Sequence, residues 1–324
     1  SNRRRTWAVM IGFIALALVV GFGFDLFIFS DPESGVTLPI GTFGAFALSS
    51  ASAATSYFVG DRAVLRSTKA VPLDEALAAA GGDDAYRLEL TQLRNVVEEM
   101  AIASGLPVPK VFVVPDPDAN AFATGRDPEH ASIAVTEGLL RALNREQLQG
   151  VVAHEMAHVR NYDIRLMTVI AALVGALALL SDWAGRMGHL AGRGGGRSRR
   201  SGNRDGGGAA GAIFVVLWLL LIVIAPFLGR LLAMAVSRQR EYLADASAAE
   251  LTRNPGALAD ALETIEGMTG PTKLVHQGSA HLCIADPLER KIDNKEGRWA
   301  DWLATHPPMA KRVALLRGMS YAGL

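Results

Sequence analysis

Residues 151–159 read VVAHEMAHV and carry the pattern His-Glu-x-x-His. On a helix, positions i and i+4 lie on one face a turn apart, so His154 and His158 can present imidazole nitrogens to a single metal ion. Glu155 follows on that side, where a carboxylate can take a proton from a metal-bound water molecule and later return it to a leaving amine. The stretch therefore predicts the metal-binding helix of a zinc peptidase.

The sequence before this stretch is typical of a helix start. Asn144 suits the N-cap position, and Gln147 stands at the third helical position, where its side chain can complete a capping box. Leu148, Val151 and Met156 then recur at helical spacing. The alternative is that both histidines are structural residues of a buried helix. A second motif is needed to decide between the two.

Residues 237–245, SRQREYLAD, provide that second motif. Catalytic zinc sites use three protein ligands and leave one position open for water, so a third ligand must lie elsewhere in the chain. Glu241 and Asp245 share a helical face at i and i+4. One of these carboxylates can bind the metal while the other orients a ligand histidine. The alternative here is an ordinary solvated acidic face.

Together, the two motifs resemble those of the HtpX-type membrane zinc proteases, relatives of the CAAX-processing and Oma-type membrane proteases. Two more segments agree with this resemblance. NAFATG at residues 120–125 is similar to the family's edge strand beside the active cleft, and THPP at residues 305–308, with Arg312, is similar to its C-terminal His-Pro motif. The resemblance covers nearly the whole chain.

The resemblance implies a role for each residue of the metal site. One zinc ion per chain would be bound by His154, His158 and Glu241. The base that activates water would be Glu155, and Asp245 would support a ligand histidine from behind.

The same resemblance implies a cleft around this site. A histidine donor at His306 would stabilise the oxyanion that develops on the scissile carbonyl, and Arg312 would order the same region. An extended substrate would pair through backbone hydrogen bonds with the edge strand formed by Asn120, Ala121, Phe122 and Ala123. The sequence alone also allows that this is an ordinary structural strand, and that the prolines at 307 and 308 only separate two helices.

Composition limits the class of protein. The chain has 324 residues, of which 50% are hydrophobic, and its 32 basic residues balance 32 acidic ones. A neutral total does not suggest a polyanionic partner. The single cysteine, Cys283, excludes a disulfide framework and a cysteine-rich metal cluster, so a metal site must use histidine and carboxylate ligands.

Four uncharged apolar runs predict two transmembrane hairpins. The first extends from residue 7 to 29 with one interruption at Asp25, and the second covers residues 36–60. The third run, 166–181, is short for a crossing, whereas the fourth, 206–229, is long enough. We expect the second hairpin to cross the membrane twice, although a non-crossing hairpin remains the alternative.

Charge predicts the orientation of these hairpins. Basic residues stand on both flanks of the first hairpin, at Arg3–Arg5 and again at Arg62, Arg66 and Lys69, so both flanks should be cytoplasmic. The loop at residues 185–208 is rich in glycine and arginine, which predicts disorder and permits contact with anionic lipid headgroups. No aromatic residues interleave with these arginines, which argues against nucleic-acid binding.

Three short runs at residues 109–115, 120–124 and 131–135 predict a small sheet before the metal helix. We therefore predict a mainly α membrane protein with two transmembrane hairpins (four spans) and a zincin-like catalytic domain with a small β-sheet. The first hairpin occupies residues 1–60 and the second residues 164–236. The catalytic domain is assembled from residues 61–163, which carry the His-Glu-x-x-His helix, and residues 237–324, which carry the third zinc ligand.

These observations predict an integral membrane zinc endopeptidase that contacts membrane lipids and polypeptide substrates but no nucleic acid. The resemblance implies a bacterial inner-membrane enzyme whose catalytic domain faces the cytoplasm and cleaves misfolded or damaged membrane proteins. One alternative is a CAAX-type processing protease, which would need more spans. Another is a non-catalytic membrane scaffold or chaperone, but a structural zinc site normally fills all four positions with protein ligands, which favours the enzyme.

Overall fold

The computed structural model describes residues 2–28, 39–174, 238–268, 282–284 and 307–321. The predicted loop at 185–208, the apolar run at 206–229 and His306 lie outside these residues, as does the end of the run at 166–181. The chain divides into two compact units. One is drawn from residues 1–6, 56–172 and 232–324, and the other from residues 7–55 and 173–231.

Helices dominate the described residues of the chain. Two long helices come first, α1 (Asn2–Ile28) and α2 (Ile40–Ser67). The elements that follow are β1 (Val71–Pro72), α3 (Leu73–Ala79), α4 (Asp84–Ser104), β2 (Lys110–Val114), β3 (Ala121–Thr124), β4 (Ser132–Thr136), α5 (Glu137–Ala142), α6 (Arg145–Arg160), a helix α7 at residues 163–174, α8 (Arg238–Thr252), α9 (Pro255–Met268) and α10 (Met309–Tyr321).

The four strands form one small mixed sheet in the order β1-β2-β4-β3. The central strands β2 and β4 are parallel, while β1 and β3 are antiparallel to their neighbours. Every residue of β3 and β4 is buried. The predicted sheet before the metal helix is therefore confirmed, and β3 lies at its end.

The helix α6 runs through the hydrophobic core. Its apolar residues Leu148, Val151 and Met156 are at most 1% exposed, as their helical spacing predicts. They pack in one cluster with residues of α4, α8 and α9. Because the core surrounds α6 on several sides, the helix that carries the His-Glu-x-x-His pattern has little freedom to shift.

Asp25 is buried within the other unit. Its carboxylate accepts hydrogen bonds from the N–H of Gly41 (2.5 Å), the N–H of Thr42 (2.8 Å) and the hydroxyl of Thr42 (2.6 Å). The two N–H groups belong to the first turn of α2, where a helix offers them no carbonyl partners of its own. Asp25 thus caps α2 from the neighbouring helix.

Among the described residues, no helix combines the length and the apolar character that crossing a bilayer requires. The predicted fourth span and the end of the third lie outside these residues.

Gly150 allows α6 and α9 to pack closely, because a Cβ atom there would lie 3.0 Å from the Cα of Leu258. We predict that Gly150→Ala lowers the melting temperature, since overpacking costs about 1–3 kcal/mol. Gly267, also helical, has nothing within 4 Å of an added Cβ, so Gly267→Ala should leave the melting temperature unchanged or raise it. Thermal unfolding of the two purified variants, followed by circular dichroism, measures this. Equal melting temperatures would contradict the close packing.

Candidate metal centre

A capping box holds the start of α6, the helix that carries both histidines. The side chain of Asn144 accepts a hydrogen bond from the N–H of Gln147 (3.0 Å), and the side chain of Gln147 accepts one from the N–H of Asn144 (3.0 Å). This is the capping box that the sequence predicts. With the first turn held in this way, His154 and His158 follow on one face of the helix, and both are buried.

Helix α8 packs against α6 and brings Glu241 to the two histidines. The Nε2 atoms of His154 and His158 lie 3.2 Å apart. Glu241 places Oε2 at 3.7 Å from Nε2 of His154 and Oε1 at 3.5 Å from Nε2 of His158. All three side chains are buried and offer ligand atoms that could hold one metal ion. The structure thus brings together the three residues that the sequence predicts as ligands.

The other ring nitrogen of each histidine faces a carboxylate. Nδ1 of His154 lies 2.9 Å from Oδ1 of Asp245, and Nδ1 of His158 lies 3.1 Å from Oδ2 of Asp163. When both rings are neutral, as zinc ligation requires, these contacts assign the proton of each ring to Nδ1, which leaves a lone pair on each Nε2.

These donors fit a zinc ion. When both rings are neutral, two Nε2 lone pairs face each other at 3.2 Å and repel unless a proton or a metal ion lies between them. Ligands of a tetrahedral zinc ion, with bonds of about 2.0–2.1 Å, stand about 3.3 Å apart. Two imidazoles and one carboxylate form a ligand set found in catalytic zinc sites, which leave a position for water.

Asp163 is a site residue that sequence reasoning missed. It follows α6 after a turn in which Tyr162 has a φ of 59°, a conformation uncommon outside glycine. Asp163 also accepts a hydrogen bond from the side chain of Asn2 (2.5 Å), and Arg240 lies 3.5 Å from it. The signal in the sequence is an acidic residue five positions after the second histidine, which a helical pattern does not bring back to that ring.

Arg312 supplies the positive charge that balances the buried carboxylate of Asp245. Its Nε and Nη2 atoms donate to the two carboxylate oxygens of Asp245 at 2.8 and 2.7 Å. The guanidinium is fully buried, and a third hydrogen bond runs from Nη1 to the carbonyl of Ile284 (3.2 Å). Burial alone would raise the pKa of Asp245, but the charge and hydrogen bonds of Arg312 lower that pKa to about 2. Asp245 is therefore a carboxylate that can accept from His154.

Glu155 lies between the metal-ligand cluster and the sheet. Burial raises the pKa of its carboxyl to about 7, partly opposed by the charge of His158. The backbone N–H of Ala123 in β3 lies near this carboxylate and also opposes the rise. Its Oε2 is buried and has no hydrogen-bond partner among the residues described. The carboxylate thus has an acceptor site available and a pKa suited to proton transfer near neutral pH.

The predicted edge strand is next to this carboxylate. Asn120 immediately precedes β3, and Ala121, Phe122 and Ala123 belong to it. All four are buried. One edge of β3 pairs with β4, and the opposite edge is bridged at Phe122 by Cys283.

We predict that Asp163→Asn weakens zinc affinity by about 10–100-fold, because loss of a carboxylate behind a ligand histidine typically has this effect. Competition with a chromophoric chelator measures the affinity of the purified chain. Asp74→Asn is the matched control, since the Asp74 side chain is 90% exposed and pairs only with Arg94 among the described contacts. Equal zinc affinity in the two variants would show that Asp163 does not support the site.

Comparison with known proteins identifies the chain's relatives. The sequence pattern of Peptidase family M48 matches residues 87–320. A protease HtpX homolog from Streptococcus gordonii is 38% identical over 319 residues, covering 98% of both chains. Another from Levilactobacillus brevis is 40% identical over 319 residues, again covering 98% of both. A third, from Thermoanaerobacter pseudethanolicus, is 43% identical over 251 residues, or 76% of this chain and 77% of the relative.

Among solved structures, the crystal structure of S. mikatae Ste24p matches with a TM-score of 0.48 and 17% identity. The match covers 97% of this chain but only 64% of the longer Ste24p chain. The sequence matches confirm the resemblance to HtpX-type proteases, and by them the chain belongs to peptidase family M48 as a metalloendopeptidase.

Proposed function

We propose that this chain is an integral membrane zinc endopeptidase that cleaves misfolded or damaged membrane proteins at the cytoplasmic face of a bacterial inner membrane. The observation that carries the proposal is the convergence of His154, His158 and Glu241 beside the buried carboxylate of Glu155. Peptidase activity follows from the family. The location in a membrane, the cytoplasmic orientation of the catalytic domain and the class of substrate are the parts that we propose.

In this proposal one zinc ion per chain is held by His154, His158 and Glu241. Zinc in such a site supplies a Lewis acid that polarises the scissile carbonyl and makes water a nucleophile near neutral pH. Asp245 and Asp163 keep the two imidazole rings turned toward the ion and increase their basicity.

Glu155 moves the protons. Its carboxylate accepts a proton from the attacking water and donates it to the amine that leaves when the peptide bond breaks. Burial of this carboxyl raises its pKa toward the neutral range, which favours a group that both accepts and returns a proton. His306, placed by the resemblance at the cleft, donates to the oxyanion, and Arg312 holds the surrounding chain through Asp245 and Ile284.

Substrate binds as an extended strand along β3, next to Asn120, Ala121, Phe122 and Ala123. Backbone hydrogen bonds along a strand are largely indifferent to side-chain identity. An enzyme that recognises polypeptide in this way accepts many sequences, which suits the removal of damaged proteins. The nearness of the Ala123 backbone to Glu155, which lowers the pKa of that carboxyl, supports the placement.

The membrane assignment rests on the long uncharged runs and on the surfaces of α1 and α2. Large apolar side chains are exposed on both helices, among them Trp7, Ile11, Phe22, Phe43 and Phe46. Surfaces of this kind favour contact with lipid or with other apolar helices. The basic residues on both flanks of these helices favour a catalytic domain on the cytoplasmic side. In this proposal the two hairpins occupy residues 1–60 and 164–236, and residues 61–163 and 237–324 form the catalytic domain.

Cleavage of casein by the detergent-purified, zinc-loaded chain tests the proposal. We predict that Glu155→Gln lowers the rate by at least about 10²–10⁴-fold, the contribution expected of a positioned general base, while bound zinc remains at one ion per chain. Glu146→Gln makes the same chemical change at an exposed position of the same helix and should leave cleavage unaltered.

The outcomes separate the alternatives. Equal cleavage by wild type and Glu155→Gln would point to a contaminant or to another mechanism. Zinc retention without cleavage by wild type or Glu146→Gln would favour a non-catalytic scaffold. Cleavage confined to short C-terminal sequences would favour a CAAX-type processing role.

A further inference from the structure

Residues 282–284 lie along the outer edge of β3. The N–H of Ile284 donates to the carbonyl of Ala121 (3.0 Å), and Cys283 forms an antiparallel bridge with Phe122. The other edge of β3 is already paired with β4. A segment of the chain itself therefore occupies the position in which an extended substrate pairs with this strand.

The backbone groups that point to this outer edge belong to alternate residues of β3. The carbonyl of Asn120 faces β4, where it accepts from Thr136 (3.0 Å), so the groups of Ala121 and Ala123 face outward. The carbonyl of Ala121 is bonded to the N–H of Ile284. One of the outward groups that a substrate strand requires is thus already engaged by the chain itself.

The 282–284 segment is held in place by its side chains as well. Its three residues are 1–3% exposed. Leu282 and Cys283 pack in a cluster with Phe122, while Ile284 packs in the main core. The carbonyl of Ile284 accepts from Arg312, the same guanidinium that holds Asp245. The segment is therefore connected to the metal-ligand cluster through the buried guanidinium of Arg312.

The same conformation encloses the catalytic groups. His154 and Glu155 are each 1% exposed, and Glu241 is 4% exposed. A scissile peptide bond has to contact this cluster, so a residue of a protein substrate reaches it only after the cleft opens. If the 282–284 segment leaves β3, the outer edge of this strand becomes free for a substrate strand.

We propose that the 282–284 segment is an internal substitute for substrate that closes the cleft, and that a polypeptide must displace it from β3 before cleavage. The inference rests on the proposed function. Displacement replaces each hydrogen bond of the segment with an equivalent one. A substrate N–H donates to the carbonyl of Ala121, and a substrate carbonyl accepts from the guanidinium of Arg312. This selects long unfolded polypeptides, which supply a whole strand of hydrogen bonds, over short peptides and folded proteins.

A disulfide across the bridge tests this directly. Cys283 is the single cysteine of the chain, and its bridge to Phe122 is of the non-hydrogen-bonded type, in which Cα atoms are about 4.5 Å apart, within disulfide range. In zinc-loaded Phe122→Cys, oxidation should abolish casein cleavage, and a phosphine reductant should restore it. The double variant Phe122→Cys/Cys283→Ser cannot form the bond, so its rate should be the same before and after oxidation.

Comparison of the oxidised and reduced forms of Phe122→Cys distinguishes failure of this inference from failure of the proposed function. If the oxidised form, with its disulfide verified by mass spectrometry, cleaves casein as fast as the reduced form does, the inference is overturned and the proposed function stays intact. Absence of cleavage by wild-type protein would overturn the proposed function, and the inference would fall with it.

A second measurement does not depend on tolerance of the Phe122 substitution. In zinc-loaded Glu155→Gln, the rate at which Cys283 reacts with a maleimide reports exposure of the segment. Unfolded, carboxymethylated casein should raise this rate by about tenfold or more, since a buried thiol reacts only through local opening. A dipeptide at the same mass concentration should leave the rate unchanged. An unchanged or lower rate with casein would show that the segment is a permanent wall of the cleft.

Discussion

The metal centre depends on one interaction that occurs twice: a ring nitrogen of each motif histidine faces a buried carboxylate. Asp245 performs this role for His154 and Asp163 for His158. An imidazole that gives its Nδ1 proton to a carboxylate keeps its Nε2 lone pair in a fixed direction. With both rings held in this way, the two Nε2 atoms and the carboxylate of Glu241 meet at one point that could hold a metal ion.

Buried carboxylates need positive partners, and this requirement ties distant segments of the chain together. Arg312 from α10 is fully buried and gives Asp245 two hydrogen bonds. Removing one member of such a buried pair costs about 3–5 kcal/mol, because the remaining charge is left without a partner. The C-terminal helix, α8 and α6 therefore form one network, and the carbonyl of Ile284 joins the 282–284 segment to it. The same network that orients the ligands thus extends to the segment that closes the edge of β3.

The sequence predicted the features that depend only on residues close together in the chain. The capping box at Asn144, the helical face shared by His154 and His158, and the strands before α6 all follow from short-range rules, and the structure has them. Asp163 could not be predicted in this way, because it reaches His158 only through the turn at Tyr162 with its positive φ. Pairing of β3 with residues 282–284 also escaped prediction, since a bridge between positions so far apart depends on the packing of the whole domain. Burial of Arg312 against Asp245 is long-range too, and the resemblance to a family, not periodicity, drew attention to it.

X-ray absorption at the zinc edge of the purified, zinc-loaded chain tests the central claim most directly, because it reads the ligands themselves. We expect two imidazole nitrogens and oxygen ligands at about 2.0–2.1 Å, with no sulfur. In Glu241→Gln, zinc should be lost or the oxygen contribution reduced. A single imidazole, a sulfur ligand at about 2.3 Å, or a spectrum unchanged in Glu241→Gln would contradict it.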